Sequence, residues 1–159
     1  LTRHASRGHH LINRSLLMNT ASAANTTDRT DIALALLRVA AGAVFAAHGA
    51  QKVFVYGFAA VTGAFGGMGI PMPGVVGPLT AVVELVGGLA LLIGLFTRLA
   101  GVGLAAVMLG AIVFVHLKAG FIAQGGAEFP VTLLACALAL AVAGAGRFSL
   151  DAMRARSAA

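Results

Sequence analysis

The chain has 159 residues, of which 59% are hydrophobic and only 10% charged, with a mean hydropathy of +0.95, against about 45–50% and 25% in ordinary soluble domains. A water-soluble chain this short cannot hide so much apolar surface, so the composition excludes a soluble globular protein and makes lipid the solvent for most of the molecule. The net charge of +6 and pI near 11.2 come from basic residues spread thinly between apolar runs, which reads as an orientation signal at an anionic membrane surface and not as a nucleic-acid footprint.

Residues 1–30 differ in kind from the rest: Arg3, Arg7, Arg14, Arg29 and three of the five histidines sit among Ser, Thr and Asn. The stretch reads as a disordered leader, with Met18 a candidate natural start. His4, His9 and His10 are too loosely spaced for a metal tract. Four apolar runs of near-spanning length follow, at about 32–50, 75–96, 99–117 and 129–145, each close to the 20 residues a helix needs to cross about 30 Å of hydrocarbon.

The first run begins after Asp28, Arg29, Thr30 and Asp31, where Thr30 or Asp31 can cap a helix, and is expected to end around His48 to Lys52. The second follows a Pro- and Gly-rich turn, 69–74. Only Phe96, Thr97 and Arg98 separate it from the third, which predicts a tight antiparallel hairpin. Gly120, Gly125 and Gly126 mark a surface loop before the fourth. The prediction is an all-α integral membrane four-helix bundle over residues 31–151, with a short tail at 152–159. Arg29, Arg98, Arg147, Arg154 and Arg156 oppose Lys52 and Lys118, which places both termini and the Arg98 turn in the cytoplasm and the 51–74 and 118–128 loops outside. Glycines at 87, 88, 94, 101, 103 and 110 suit close helix packing. Cys136, lone and inside an apolar run, reads as a packing residue.

Polar groups carry the functional information, because an ionisable side chain in hydrocarbon costs about 2.5–3.5 kcal/mol even on the gentlest scale. Arg38 and Glu84 are the two inside the spans. Counted from the expected helix starts their depths differ by about 7 Å at 1.5 Å per residue, so they are expected to form a midplane ion pair; snorkelling of Arg38 beside a protonated Glu84 is the alternative. Near the outer face His48 and His116 are expected at one depth on separate helices. Gln51 and Lys52 stand on the turn after His48, and Lys118, Gln124 and Glu128 lie over the same rim. Such a cluster can bind a small anion, relay protons or hydrogen-bond a quinone carbonyl. Two histidines on different helices also suit axial haem ligation, which nothing else in the chain supports, and polar anchoring of helix ends is the plainest reading. No metal-ligand spacing and no catalytic motif is present.

Eight elements in order resemble the DoxX family of small membrane proteins: Leu37-Arg38-Val39, His48-Gly49-x-Gln51-Lys52-Val53-Phe54, Gly69-Ile70-Pro71-x-Pro73, Glu84-x-x-Gly87-Gly88, Gly94-Leu95-Phe96-Thr97-Arg98, His116, Gly125-Gly126-x-Glu128-Phe129-Pro130 and Gly146-Arg147-Phe148-Ser149-Leu150-Asp151. The resemblance implies a four-helix protein of the bacterial inner membrane, labelled in the family as an oxidoreductase. Its founding members are associated with a thiosulfate:quinone oxidoreductase and others with membrane redox complexes. It places Arg38, His48, Lys52, Glu84, Arg98, His116 and Glu128 at the family's polar positions. The chain shows no flavin, haem or iron–sulfur motif, so the expectation is a quinone-linked redox subunit whose electrons come from a protein partner. A small-solute permeation module and a non-catalytic assembly partner are the alternatives, and a homo-oligomer is the alternative to a redox partner.

Overall fold

A computed structural model describes the backbone of residues 2–158 and the side chains of residues 26–158. The leader expected over residues 1–30, with Met18 and the three histidines, lies up to residue 25 outside the described side chains.

The first helix, α1 (Thr2–Ala50), does not stop at Lys52. It runs on through a π-helical segment, Gln51–Tyr56, bends at Gly57 (φ +74°) and continues as α2 (Gly57–Gly67). The described helical run Thr26–Gly67 is therefore 42 residues long, and the outer loop expected over 51–74 shrinks to the turn between Gly67 and Pro73. Nor do Thr30 and Asp31 cap a helix start: the Thr30 hydroxyl donates to Thr26 O (3.0 Å), and the Asp31 carboxylate accepts from Arg147 N (3.0 Å). α3 (Pro73–Ile93) starts on a proline, whose fixed φ suits a first helical turn. It closes on Gly94 in the left-handed conformation. α4 (Thr97–Ala111) is extended by a π-helical segment, Ile112–His116, and a 3₁₀ turn, Leu117–Ala119. α5 (Glu128–Ala143) has 16 residues, about 24 Å of helix, and is shorter than α1, α3 and the extended run Thr97–Ala119. The short α6 (Leu150–Ser157) is capped by Ser149 Oγ, which accepts from Ala152 N.

α1, α3, α4 and α5 form the bundle, an all-α membrane fold with, among the described residues, three helices long and apolar enough to cross a bilayer. Phe45, Leu91, Leu104, Met108 and Leu140 fill its centre. Its tightest contacts are made without side chains. A Cβ at Gly42 would stand 2.8 Å from Gly88 O, and one at Gly49 would collide with the backbone of Leu85, so α1 and α3 touch main chain to main chain. Gly101 does the same for α4 against α5, 2.7 Å from Ala137 O. These approaches set the register: Gly42 lies against Gly88, and Gly49 against Glu84 and Leu85.

The two described ends of the bundle meet at one face. Arg147 pairs with Asp28, Arg38 Nη2 donates to Phe148 O (2.7 Å), and Asp151 accepts from Phe96 N (2.8 Å) and Thr97 N (3.0 Å). The 144–157 segment is thus a strap across the middle of α1 and the turn that joins α3 to α4.

Because the seam leaves no room for a methyl group, Gly88→Ala should lower stability in detergent by about 1–3 kcal/mol. Gly63→Ala, where a Cβ meets nothing within 4 Å, should be neutral or slightly stabilising. Thermal melting followed by circular dichroism checks the contrast, and equal effects would refute the tight seam.

Candidate functional site

The expected Arg38–Glu84 pair does not form. Gly94 sits against the Arg38 guanidinium and Gly49 sits against Glu84, so the carboxylate is ten residues up α3 from the arginine, about 15 Å along the helix. The depth count failed because it took the first span to end near residue 50 and α3 to begin at the same level. Since α1 continues into α2, the start of α3 faces α2, with Gly77 packed on Val61 and Thr62.

Glu84 pairs instead with Lys52, whose ammonium donates to Glu84 Oε2. The Glu84 side chain is 4% exposed and that of Lys52 23%, so the pair is held largely out of solvent. Arg38 is buried at the strap end, where among the described residues Phe148 O is its one hydrogen-bond acceptor and its Nε and Nη1 have none. Asp151 supplies the negative charge that acts on it.

The outer cluster is divided. His48 is exposed, packs on Phe129 (ring centroids 6.0 Å apart) and shares a shallow surface groove with Gln51 and Phe54. Lys52, four residues on, points the other way. A π turn holds more residues than an α turn, so the α-helical phase that would put residues 48 and 52 on one face is lost from Gln51 onward. His48 is level with Glu84 through its neighbour Gly49, whereas His116 ends the extension of α4; the two histidines therefore occupy different depths. Lys118, Gln124 and Glu128 are exposed and make no side-chain hydrogen bond among the described residues. Arg98 is exposed at the strap end.

Lys52, Glu84 and His116 come together on one cavity. It has a volume of about 530 Å³ and lies between α2, α3 and α4. Apart from those three residues and the Thr80 hydroxyl its lining is apolar, including Phe65, Leu79 and Phe114. The polar groups stand at separated levels. Gly87 packs on Leu104 in the antiparallel hairpin, which sets Glu84 beside about residue 107 of α4, and His116 lies some nine residues further on, about 13 Å. The wall of this run combines small residues, Gly103, Ala106, Gly110 and Ala111, with Val107, Phe114 and Val115. A Cβ on Gly110 would meet nothing within 4 Å and one on Gly103 only Val83 Cγ1 at 3.5 Å. His116 Nδ1 lies 2.7 Å from Gly125 O. A carbonyl can only accept, so Nδ1 carries the proton and Nε2 of the neutral ring is left as an acceptor. Both π-helical segments border this cavity, one carrying Lys52 and the other His116, and π turns are frequent at functional sites.

Sequence reasoning missed Thr80 and Phe114, which lie within apolar runs and carry no distinguishing signal, and it took Gly110 for a helix-packing glycine, whereas nothing packs within 4 Å of where its Cβ would be. The inward course of Lys52 did have one. Val53 to Tyr56 continue the apolar run past it with no turn residue before Gly57, so the lysine stands inside a span and not in a loop.

These features define a small helical membrane protein with a lipid-type cavity that has an ion pair in its wall. The family comparison is direct: the DoxX family model matches residues 33–117, and the chain belongs to the DoxX family. A Bacillus subtilis (strain 168) protein named "Putative oxidoreductase CatD" is 38% identical over 121 residues, covering 76% of this chain and 86% of the relative. An uncharacterized membrane protein of Mycobacterium tuberculosis is 37% identical over 126 residues, covering 72% and 77%. An uncharacterized protein of Haemophilus influenzae is 34% identical over 122 residues, covering 74% and 87%. No solved structure matches.

A double-mutant cycle separates the two pairings. Glu84→Gln should cost roughly 3–5 kcal/mol, because Lys52 is left as an uncompensated buried charge. Lys52→Met with Glu84→Leu should recover most of it, while Arg38→Leu and Glu84→Gln should add independently. Coupling of Arg38 and Glu84 in denaturation measurements would overturn the assignment.

Proposed function

We propose that this protein is a quinone-linked redox subunit of the bacterial inner membrane, whose cavity receives a lipid-soluble quinone while a protein partner carries the electrons. The observation that supports it is the 530 Å³ cavity itself: apolar walls for a ring and a prenyl tail, with a charged hydrogen-bond donor set into them. Lys52 is placed to donate to a quinone carbonyl, and Glu84 holds the ammonium in position and balances its charge. His116, with Nε2 free to accept, is placed to take or return a proton between the cavity and the surface loop bearing Lys118 and Glu128. The two-electron, two-proton exchange of a quinone needs a donor or acceptor of electrons; the chain has one cysteine and no cofactor-binding motif, so that carrier belongs to the partner. The name of the Bacillus subtilis relative supports an oxidoreductase.

Orientation belongs to the same reading. Lys52 is inside the bundle and drops out of the charge count, which leaves Arg29, Arg98, Arg147, Arg154 and Arg156 at the strap end against Lys118 at the other. The strap end is cytoplasmic and the His116 end faces out.

The test is binding of a short-chain quinone to protein in detergent. Lys52→Met combined with Glu84→Gln avoids a lone charge and should weaken binding by roughly tenfold or more, the range of a charged hydrogen bond. Gly110→Leu should fill the cavity and abolish binding with the fold intact. His48→Ala, on the other side of α1, should have no effect. Binding to Gly110→Leu equal to that of the parent would refute the reading.

A further inference from the structure

A second recess lies at the strap end, its lining at Leu99 about one helical turn along α4 from Gly103 of the cavity. A recess of about 510 Å³ opens between the start of α4, the end of α5 and the strap, lined among others by Phe96, Thr97, Arg98, Leu99, Gly144 and Asp151. Arg98 is exposed and, among the described residues, has neither a carboxylate nor a hydrogen-bond partner. It lies over Gly144, whose Cβ would stand 3.3 Å from Arg98 Nε; the glycine, at φ +84°, leaves room for the guanidinium at the rim. From the other side Arg154 on α6 stacks over the Phe96 ring, 5.3 Å from its centroid, and has no acidic partner among the described residues. Thr97 is fully buried, and its Oγ1 has no hydrogen-bond partner.

The one carboxylate in the recess is already engaged. Asp151 takes the amides of Phe96 and Thr97 on its two oxygens, holding Phe96 in a left-handed conformation (φ +49°) that an aromatic residue rarely adopts. The two acids on α1, Asp28 and Asp31, are taken by Arg147. Two unpaired arginines thus flank an opening whose negative charges are spent. Beside it stand apolar side chains turned outward: Leu99 is 73% exposed and Val142 77%. Cations at the rim of a membrane bundle with bare apolar surface directly alongside match one kind of molecule, an amphiphile with an anionic head.

We propose that this recess binds an anionic phospholipid, its phosphate between Arg98 and Arg154 and its acyl chains along the outer faces of α4 and α5. Charge complementarity selects the headgroup and the neighbouring apolar surface selects a lipid over a free anion. The site is independent of the quinone reading, since it shares no residue with the cavity.

Native mass spectrometry of the detergent-solubilised protein tests it, with phosphatidylglycerol, phosphatidylcholine or inorganic phosphate added. Phosphatidylglycerol should be retained in preference to phosphatidylcholine, and millimolar phosphate should not displace it. Arg98→Gln and Arg154→Gln should each weaken retention roughly fivefold, the effect of one basic residue at a charged surface. Lys118→Gln, at the opposite end, should leave it unchanged. Both arginines are exposed and unpaired, so circular dichroism should show intact folding. Equal retention of the two lipids, no loss in the arginine variants, or displacement by phosphate would each overturn the proposal.

Discussion

The arrangement of this protein depends on the main-chain contact between α1 and α3. Gly42, Ala46 and Gly49 on one helix meet Leu85 and Gly88 on the other with no side chain between them. In lipid there is little hydrophobic gain from bringing two apolar helices together, so such close backbone approach is what holds them. It also allows only one sliding position. With Gly49 against Glu84, the first basic side chain past the seam is Lys52, and it reaches back to the carboxylate. With Gly42 against Gly88, Arg38 falls beside Gly94, under the strap.

The two intramembrane cations consequently live in opposite circumstances. Lys52 has a carboxylate partner within a cavity. Arg38 has a backbone carbonyl and the field of Asp151, and keeps two nitrogens unpartnered. A guanidinium spreads its charge over a plane and is more weakly hydrated than an ammonium, so it tolerates the poorer site better. Its position ties the strap to the bundle: Phe148 O on Arg38, Asp151 on the α4 amides and Arg147 on Asp28 and Asp31 fasten one short segment to two helices and a turn.

Most of the helical plan was legible in the sequence. The spans around α3, α4 and α5, the tight hairpin at 94–98 and the four-helix bundle follow from run length and turn residues, and the DoxX motifs were readable directly. Register was not. Periodicity says which residues share a face of one helix, but the level at which two helices meet is decided by contacts between them, here by glycines whose partners are distant in the chain. A shift of the α1 boundary by a few turns was enough to pair Arg38 with Glu84 on paper and to bring His48 level with His116. The π turn at Gln51 added a rotation that no 3.6-residue count contains, turning Lys52 inward while His48 stayed outside. The candidate site was therefore half legible: Lys52, His116 and Glu84 stood out by the cost of placing such groups in lipid, but their grouping needed the fold.

The glycines of this chain do two opposite things, and the cavity follows from the difference. At 42, 49, 88 and 101 the missing side chain is replaced by a neighbouring helix; at 110 it is replaced by nothing. An unfilled space between apolar helices forfeits dispersion contacts that ordinary packing would supply, and a charged pair in its wall makes the space worse as a purely structural feature, since both groups must be kept from bulk water without an apolar contact in return. A bundle assembled for stability alone would close over Gly110 with a larger side chain and carry an apolar pair at 52 and 84. On the proposed reading the space and the ion pair belong together: a molecule that is apolar with a polar, hydrogen-bonding end would restore the lost contacts and give the Lys52 ammonium a second acceptor.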